Sequence, residues 1–131
     1  VIVVDASLAL RWVLVEEPSR ESLAALDYVT ENGAYVPGNF QSEVAHGLIQ
    51  AERRGRLSST DVSAALSDIL ALPFHVDLPD PHVLVATARQ YSLTGYDAAY
   101  LALALKTAMP LATVDEALRK AARAAKLLWK A

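Results

Sequence analysis

Residues 1–4 read Val-Ile-Val-Val, a β-branched run with no polar alternation. A strand with one wet face alternates apolar and polar residues, so a continuous apolar run predicts a strand buried on both faces. Such a strand needs a sheet covered by helices on two sides, and the remaining sequence has the pattern to supply one. Strand-like runs at 34–37 (AYVP), 74–76 (FHV), 110–113 (PLAT) and 127–129 (LLW) alternate with helical stretches. Ser7 is expected to cap a helix through about Val15, stopped by Pro18, and a second helix over 19–32 to end at Asn32-Gly33. In 39–54, Phe40, Val44, Leu48 and Ala51 form one apolar stripe. Further helices are expected over 59–71, after Asp80-Pro81, after Thr94-Gly95, and after Thr113-Val-Asp-Glu116, which has capping-box spacing. Strands separated by helices imply crossover connections and an α/β fold: an α/β/α sandwich around a mostly parallel sheet of four to five short strands. Ligands of such sheets sit at the carboxyl ends of the strands.

The 131 residues are expected to form a single domain, 1–131. Apolar content of 53% is high for so small a chain, yet no uncharged run reaches the ~18–20 residues of a membrane span. The excess predicts a helix-rich core and a surface buried against a partner or a second copy. The start shows no signal-peptide pattern and lacks Met, as expected of a processed or trimmed cytoplasmic protein. Without cysteine, thiol catalysis, disulfides and thiolate metal sites are excluded. A net charge of −3 does not by itself indicate a nucleic-acid binder. The basic residues are clustered, however, with Arg53, Arg54 and Arg56 together and Arg119, Lys120, Arg123, Lys126 and Lys130 near the end. Such clusters are either solvated helix ends or a footing for a polyanion.

Four acids stand where the strand ends should meet. Asp5 follows the first strand and Asp115 follows PLAT, while Glu43 and Asp97 fall in the first turns of their helices. Singly, Asp5, Asp97 and Asp115 can each serve a helix N-terminus, and Glu43 can be a solvated helical residue. Together they repel one another unless a cation neutralises them, and no matching Lys or Arg accompanies them. Carboxylate oxygens favour Mg²⁺ or Mn²⁺. Glu43-x-x-His46 has the spacing of half a di-iron carboxylate site but lacks the second copy such a site needs, and His75 and His82 are expected to be structural.

VVDASLAL with Asp5, the Pro-to-SEVA segment with Glu43, YDAAYLALA with Asp97 and LATVDEAL with Asp115 occur in the order and approximate spacing of a PIN domain, which the chain resembles along nearly its whole length. Within that family it most resembles VapC toxins, the ribonuclease half of toxin–antitoxin pairs. The resemblance implies that Asp5, Glu43 and Asp97 are the core metal-site acids, with Asp115 the fourth and Glu116 its possible substitute. Ser7 and Thr113 match positions whose hydroxyls orient the ligands, a role compatible with helix capping. The Ala-rich, basic segment after Asp115 departs from the family pattern, with no Gly turn before LLWKA.

The implied chemistry is metal-assisted hydrolysis of RNA phosphodiester bonds, leaving 5′-phosphate and 3′-hydroxyl ends. Arg53, Arg54, Arg56, Arg119 and Arg123 are candidate RNA contacts. The implied partners are an RNA substrate, a VapB-like antitoxin and a second copy of the chain, paired through helices in 39–91. Trp12, Val13, Leu14 and Val15 offer an apolar stretch for an antitoxin helix, or else simply pack into the core. Two alternatives belong to other classes. One is a non-catalytic PIN-fold interaction module. The other is an aspartyl-phosphate phosphotransfer domain using Asp5, although Ser7 occupies the place where such phosphatases carry a second Asp.

Overall fold

The structure, a computed structural model, describes residues 1–14 and 18–131. Strand β1 (Ile2–Val4) is central and completely buried, as its unbroken apolar run requires. It pairs in parallel with β2 (Ala34–Pro37) on one side and β4 (Leu111–Ala112) on the other. Strand β3 (Phe74–Asp77) adds to the far side of β2, giving the order β3-β2-β1-β4, parallel throughout. The 127–129 run does not form a full strand: Leu128 makes an isolated parallel bridge to Leu111. The turn that delivers it lacks glycine, and Lys126 itself adopts the left-handed conformation at φ 60°. The sheet and its flanking helices form the expected α/β sandwich.

Helix α1 (Ala6–Leu14) starts two residues earlier than expected, because Asp5 rather than Ser7 caps it: Leu8 N–H donates to Asp5 Oδ1 at 3.0 Å. Helix α2 (Arg20–Asn32) is capped by Ser19 and ends at Gly33. Helix α3 (Phe40–Arg53) buries the expected stripe of Phe40, Val44, Leu48 and Ala51. Helix α4 (Ser59–Leu70) opens with a capping box of Ser58 and Asp61. Helix α5 (Pro81–Tyr91) begins with Asp80 as cap and Pro81 in its first turn. Helix α6 (Gly95–Thr107) buries Ala98 through Ala104 without interruption, and its small residues let it lie close against the sheet. Helix α7 (Glu116–Ala124) is capped by Asp115, not by Thr113. Thr113 sits too far back in the chain to close the box; its hydroxyl accepts from Asp115 N–H instead.

Of the two uses open to the Trp12 stretch, the structure shows packing into the core. Trp12 donates its indole N–H to Ser22 O at 2.8 Å, and Trp12, Val13 and Leu14 pack partly buried against the core. Val15 lies outside the described residues. Among the described residues, no helix is long and apolar enough to cross a membrane.

Candidate active site: an acidic cleft at the strand ends

The parallel strands all end on one edge, and the helices that follow begin there. An open cleft of about 300 Å³ on this edge is lined by Asp5, Glu43, Asp97 and Asp115, with Ser7, His46 and Gln50 among its other walls. No Lys or Arg lines it. The four acids come from a strand end, two helix first turns and a helix cap. Their convergence follows from the topology.

Asp5 is the deepest of them, 3% exposed. Its carboxylate accepts from Leu8 N–H, from the Ser7 hydroxyl at 2.9 Å and from the Thr113 hydroxyl at 2.8 Å. Burial pushes its pKa up to about 7, against the pull of the Thr113, Leu8 and Ser7 donors, and the charge of Asp115 adds to the rise. Thr113 forms a relay: Asp115 N–H donates to Thr113 Oγ1, whose own proton goes to Asp5 Oδ2. The end of β4 is thereby tied to the end of β1 through the site itself.

Glu43 is half-buried and accepts from Tyr100 Oη–H at 2.8 Å and from Asn39 Nδ2–H, both at Oε2. Burial raises its pKa, the Tyr100 and Asn39 donors lower it, and the charge of Asp97 raises it. Burial, followed by the charge of Glu43, holds the Tyr100 phenol well above its ordinary range, so its hydroxyl can only donate to that carboxylate. Asp97 stands in the first turn of α6, where its backbone N–H donates to Thr94 Oγ1. Its carboxyl is also shifted upward, by burial and then by the charge of Asp115. Asp5, Glu43 and Asp97 are thus all shifted upward, by burial first and then by the charge of a neighbouring acid. The cleft is short of positive charge.

That shortage is the test of whether the residues suit a metal. Oxygen-only donors, mutual repulsion and the absence of a cationic side chain in the wall fit a hard divalent ion. Among the described residues, no three carboxylates or histidines stand close enough to grip an ion as they are. Asp97, Glu43 and Asp115 are partly exposed on the cleft wall. Glu116 is exposed at the first position of α7 and is absent from the cleft wall; Asp115 lines it.

The basic residues are dispersed. Arg53 and Arg54 are exposed where α3 ends and continue the helix face that carries Glu43, His46 and Gln50. Arg56 donates to Leu14 O at 3.1 Å and, with Arg11, lines a groove that shares Ser7 and Leu10 with the acidic cleft. Arg119 is engaged within the fold, bonding Thr113 O at 3.1 Å and pairing with Glu21 at 3.2 Å. Arg123 is exposed on α7.

Sequence alone does not mark Asn39, Tyr100, His46 or Arg11 as site residues. Tyr100, a lone hydroxyl in an Ala/Leu run one turn after Asp97, and Asn39, four residues before Glu43, carried usable signals. His46, marked in the sequence only by its spacing from Glu43, lines the cleft. His75 instead packs on Tyr35 at the sheet edge, 5.1 Å between ring centroids.

Comparison with known proteins bears on the family and the fold. The PIN domain family pattern matches residues 2–124. The ribonuclease VapC3 of Mycobacterium tuberculosis is 29% identical over 120 residues, spanning 92% of this chain and 86% of that protein. The crystal structure of PAE2754 from Pyrobaculum aerophilum shares the fold with a TM-score of 0.74 at 21% identity, covering 92% of this chain and 83% of that one.

Proposed function

This chain belongs to the PIN domain family, and from that premise we propose that it is a divalent-metal-dependent ribonuclease, the toxin of a toxin–antitoxin pair. The observation that carries the reading is the acidic cleft: four carboxylates on one strand-end rim with no cationic side chain among them. The similarity to a ribonuclease of the VapC type supports RNA as the substrate.

Asp5, Glu43, Asp97 and Asp115 would hold Mg²⁺ or Mn²⁺. A bound ion supplies an activated water at neutral pH and compensates charge on the phosphate. The protein's own part is positioning. Ser7, Leu8 N–H and Thr113 fix the plane of the Asp5 carboxylate, while Tyr100 and Asn39 fix that of Glu43. The phosphotransfer reading lacks a second Asp two residues after Asp5: Ser7 stands there and donates to the Asp5 carboxylate.

An RNA strand bound over an acidic cleft needs basic residues beside it. Arg11 and Arg56 in the adjoining groove, and Arg53 and Arg54 along α3, are placed to take phosphates; Arg123 stands further off on α7. Arg119 already has partners in the fold and is better suited to holding the end of β4. We also propose a homodimer through β3, α5 and the start of α6. Leu78 is 82% exposed and Tyr96 70%, with Val76, Val83 and Val85 also exposed nearby. A second copy covering this face would account for the high apolar content. A VapB-like antitoxin completes the partners, and cytoplasmic residence follows from that pairing.

The deciding experiment maps new RNA 5′ ends after incubating total RNA with the purified protein and Mn²⁺. Cleavage with 5′-phosphate ends, abolished by chelation and reduced about 100-fold or more in Asp97→Asn, is expected. Equal cleavage by Asp97→Asn would overturn the assignment of the cleft. No cleavage by the wild type on any RNA would favour the non-catalytic module.

A further inference from the structure

Two neutral donors on one carboxylate oxygen are an unusual use of two residues that had other things to do. Asn39 occupies the N-cap position of α3, where an Asn side chain ordinarily accepts from a backbone N–H of the first turn. It makes no such bond. Its amide turns to Glu43 Oε2 and to Tyr96 O at 3.4 Å, which links α3 to the opening of α6. Tyr100 is 1% exposed, in the middle of the otherwise apolar buried face of α6, and its hydroxyl meets the same Oε2 at 2.8 Å. The other oxygen, Oε1, has no protein donor among the described residues.

We propose that Asn39 and Tyr100 form a neutral clamp that positions Glu43, saturating Oε2 so that Oε1 is held for a divalent cation in the cleft. The inference rests on the metal-dependent reading above and extends it to two residues that touch no substrate. Neutral donors are what such a clamp requires. A Lys or Arg in either place would orient the carboxylate equally well but cancel the charge that attracts the cation. A free Glu side chain must also be immobilised when it binds an ion, and ordering it beforehand removes that cost from the binding step. The clamp also joins the start of α3, which carries Glu43, to the start of α6, which carries Asp97.

The test measures Mn²⁺ affinity calorimetrically, together with thermal stability, for wild type, Tyr100→Phe, Asn39→Ala and Glu43→Gln. Partners outside the first coordination shell typically contribute about 10- to 100-fold to metal affinity. Tyr100→Phe and Asn39→Ala should each weaken Mn²⁺ binding about tenfold or more. Asn39→Ala should do so with little change in melting temperature, because the side chain caps nothing. In a Glu43→Gln background neither substitution should weaken Mn²⁺ further. Unchanged affinity in the single variants, or an equal loss with and without Glu43, would show that the two residues only pack and would overturn the clamp. Wild type that binds no Mn²⁺ would remove the metal reading and the clamp with it. Wild type that binds and cleaves while the variants match it removes the clamp alone.

Discussion

Asp5 joins three jobs in one side chain: it ends the central strand, caps α1 and lines the cleft. The first two are carried by hydrogen bonds to its oxygens, and the third by the charge those bonds preserve. Burial raises its pKa from 3.8 to about 7. Between those values the folded protein keeps a proton that the unfolded chain has released, so stability falls as pH rises through the window. The contribution is fully present below about pH 4 and lost above about pH 7. Without metal, wild type should therefore lose melting temperature relative to Asp5→Asn as pH rises from 4 to 7, and Mn²⁺ should restore it at pH 8. A difference between the two that stays flat with pH would show that Asp5 is ionised throughout. At this scale the acids themselves were legible in the sequence, since carboxylates at strand ends and helix starts are few. The Ser7 and Thr113 hydroxyls on Asp5 stand at positions that the family resemblance marks, whereas the Tyr100 and Asn39 donors on Glu43 carry no such mark. Thr113 does not cap α7 but relays a hydrogen bond between Asp115 and Asp5, which requires two strand ends to be neighbours.

The elements followed closely from local chemistry, with departures where caps competed. Ser7 and Asp5 could both open α1, and Asp5 prevails because its carboxylate reaches Leu8 N–H while the Ser7 hydroxyl turns to Asp5. The stop between α2 and β2 depends on one glycine. Gly33 has φ 78° and ψ 175°, a conformation confined almost wholly to glycine, and an added Cβ would lie 3.0 Å from Pro73 O. Gly33→Ala should cost about 1–3 kcal/mol, measured by urea denaturation. The expected site assembly makes a smaller loss of cleavage than of stability the outcome, since Gly33 is remote from the cleft wall. Helix α6 shows what periodicity cannot reveal. With Ala and Leu nearly all round, no face is marked as inner, and only packing shows that all of Ala98–Ala104 is buried.

Across the whole molecule, the parallel order β3-β2-β1-β4 leaves β3 as an open edge beside the exposed apolar face of α5. If a second copy covers that face, Leu78→Asp should convert a dimer to a monomer in sedimentation equilibrium while the fold persists. A wild type that already sediments as a monomer at micromolar concentration would overturn the pairing. The sequence by itself determined the alternation of strands and helices, the burial of β1 and the choice of four acids, because these depend on periodicity, caps and side-chain chemistry within a few residues. Tertiary structure alone decided that Thr113 bridges Asp115 to Asp5 and which donors hold Glu43. It also separated Arg119, bound within the fold, from Arg11 and Arg56 beside the cleft, and joined Asn39 to Tyr100 across Glu43. Those pairings link positions up to 108 residues apart. Hydrogen bonds act over about 3 Å, and only the folded sheet brings such partners within that distance.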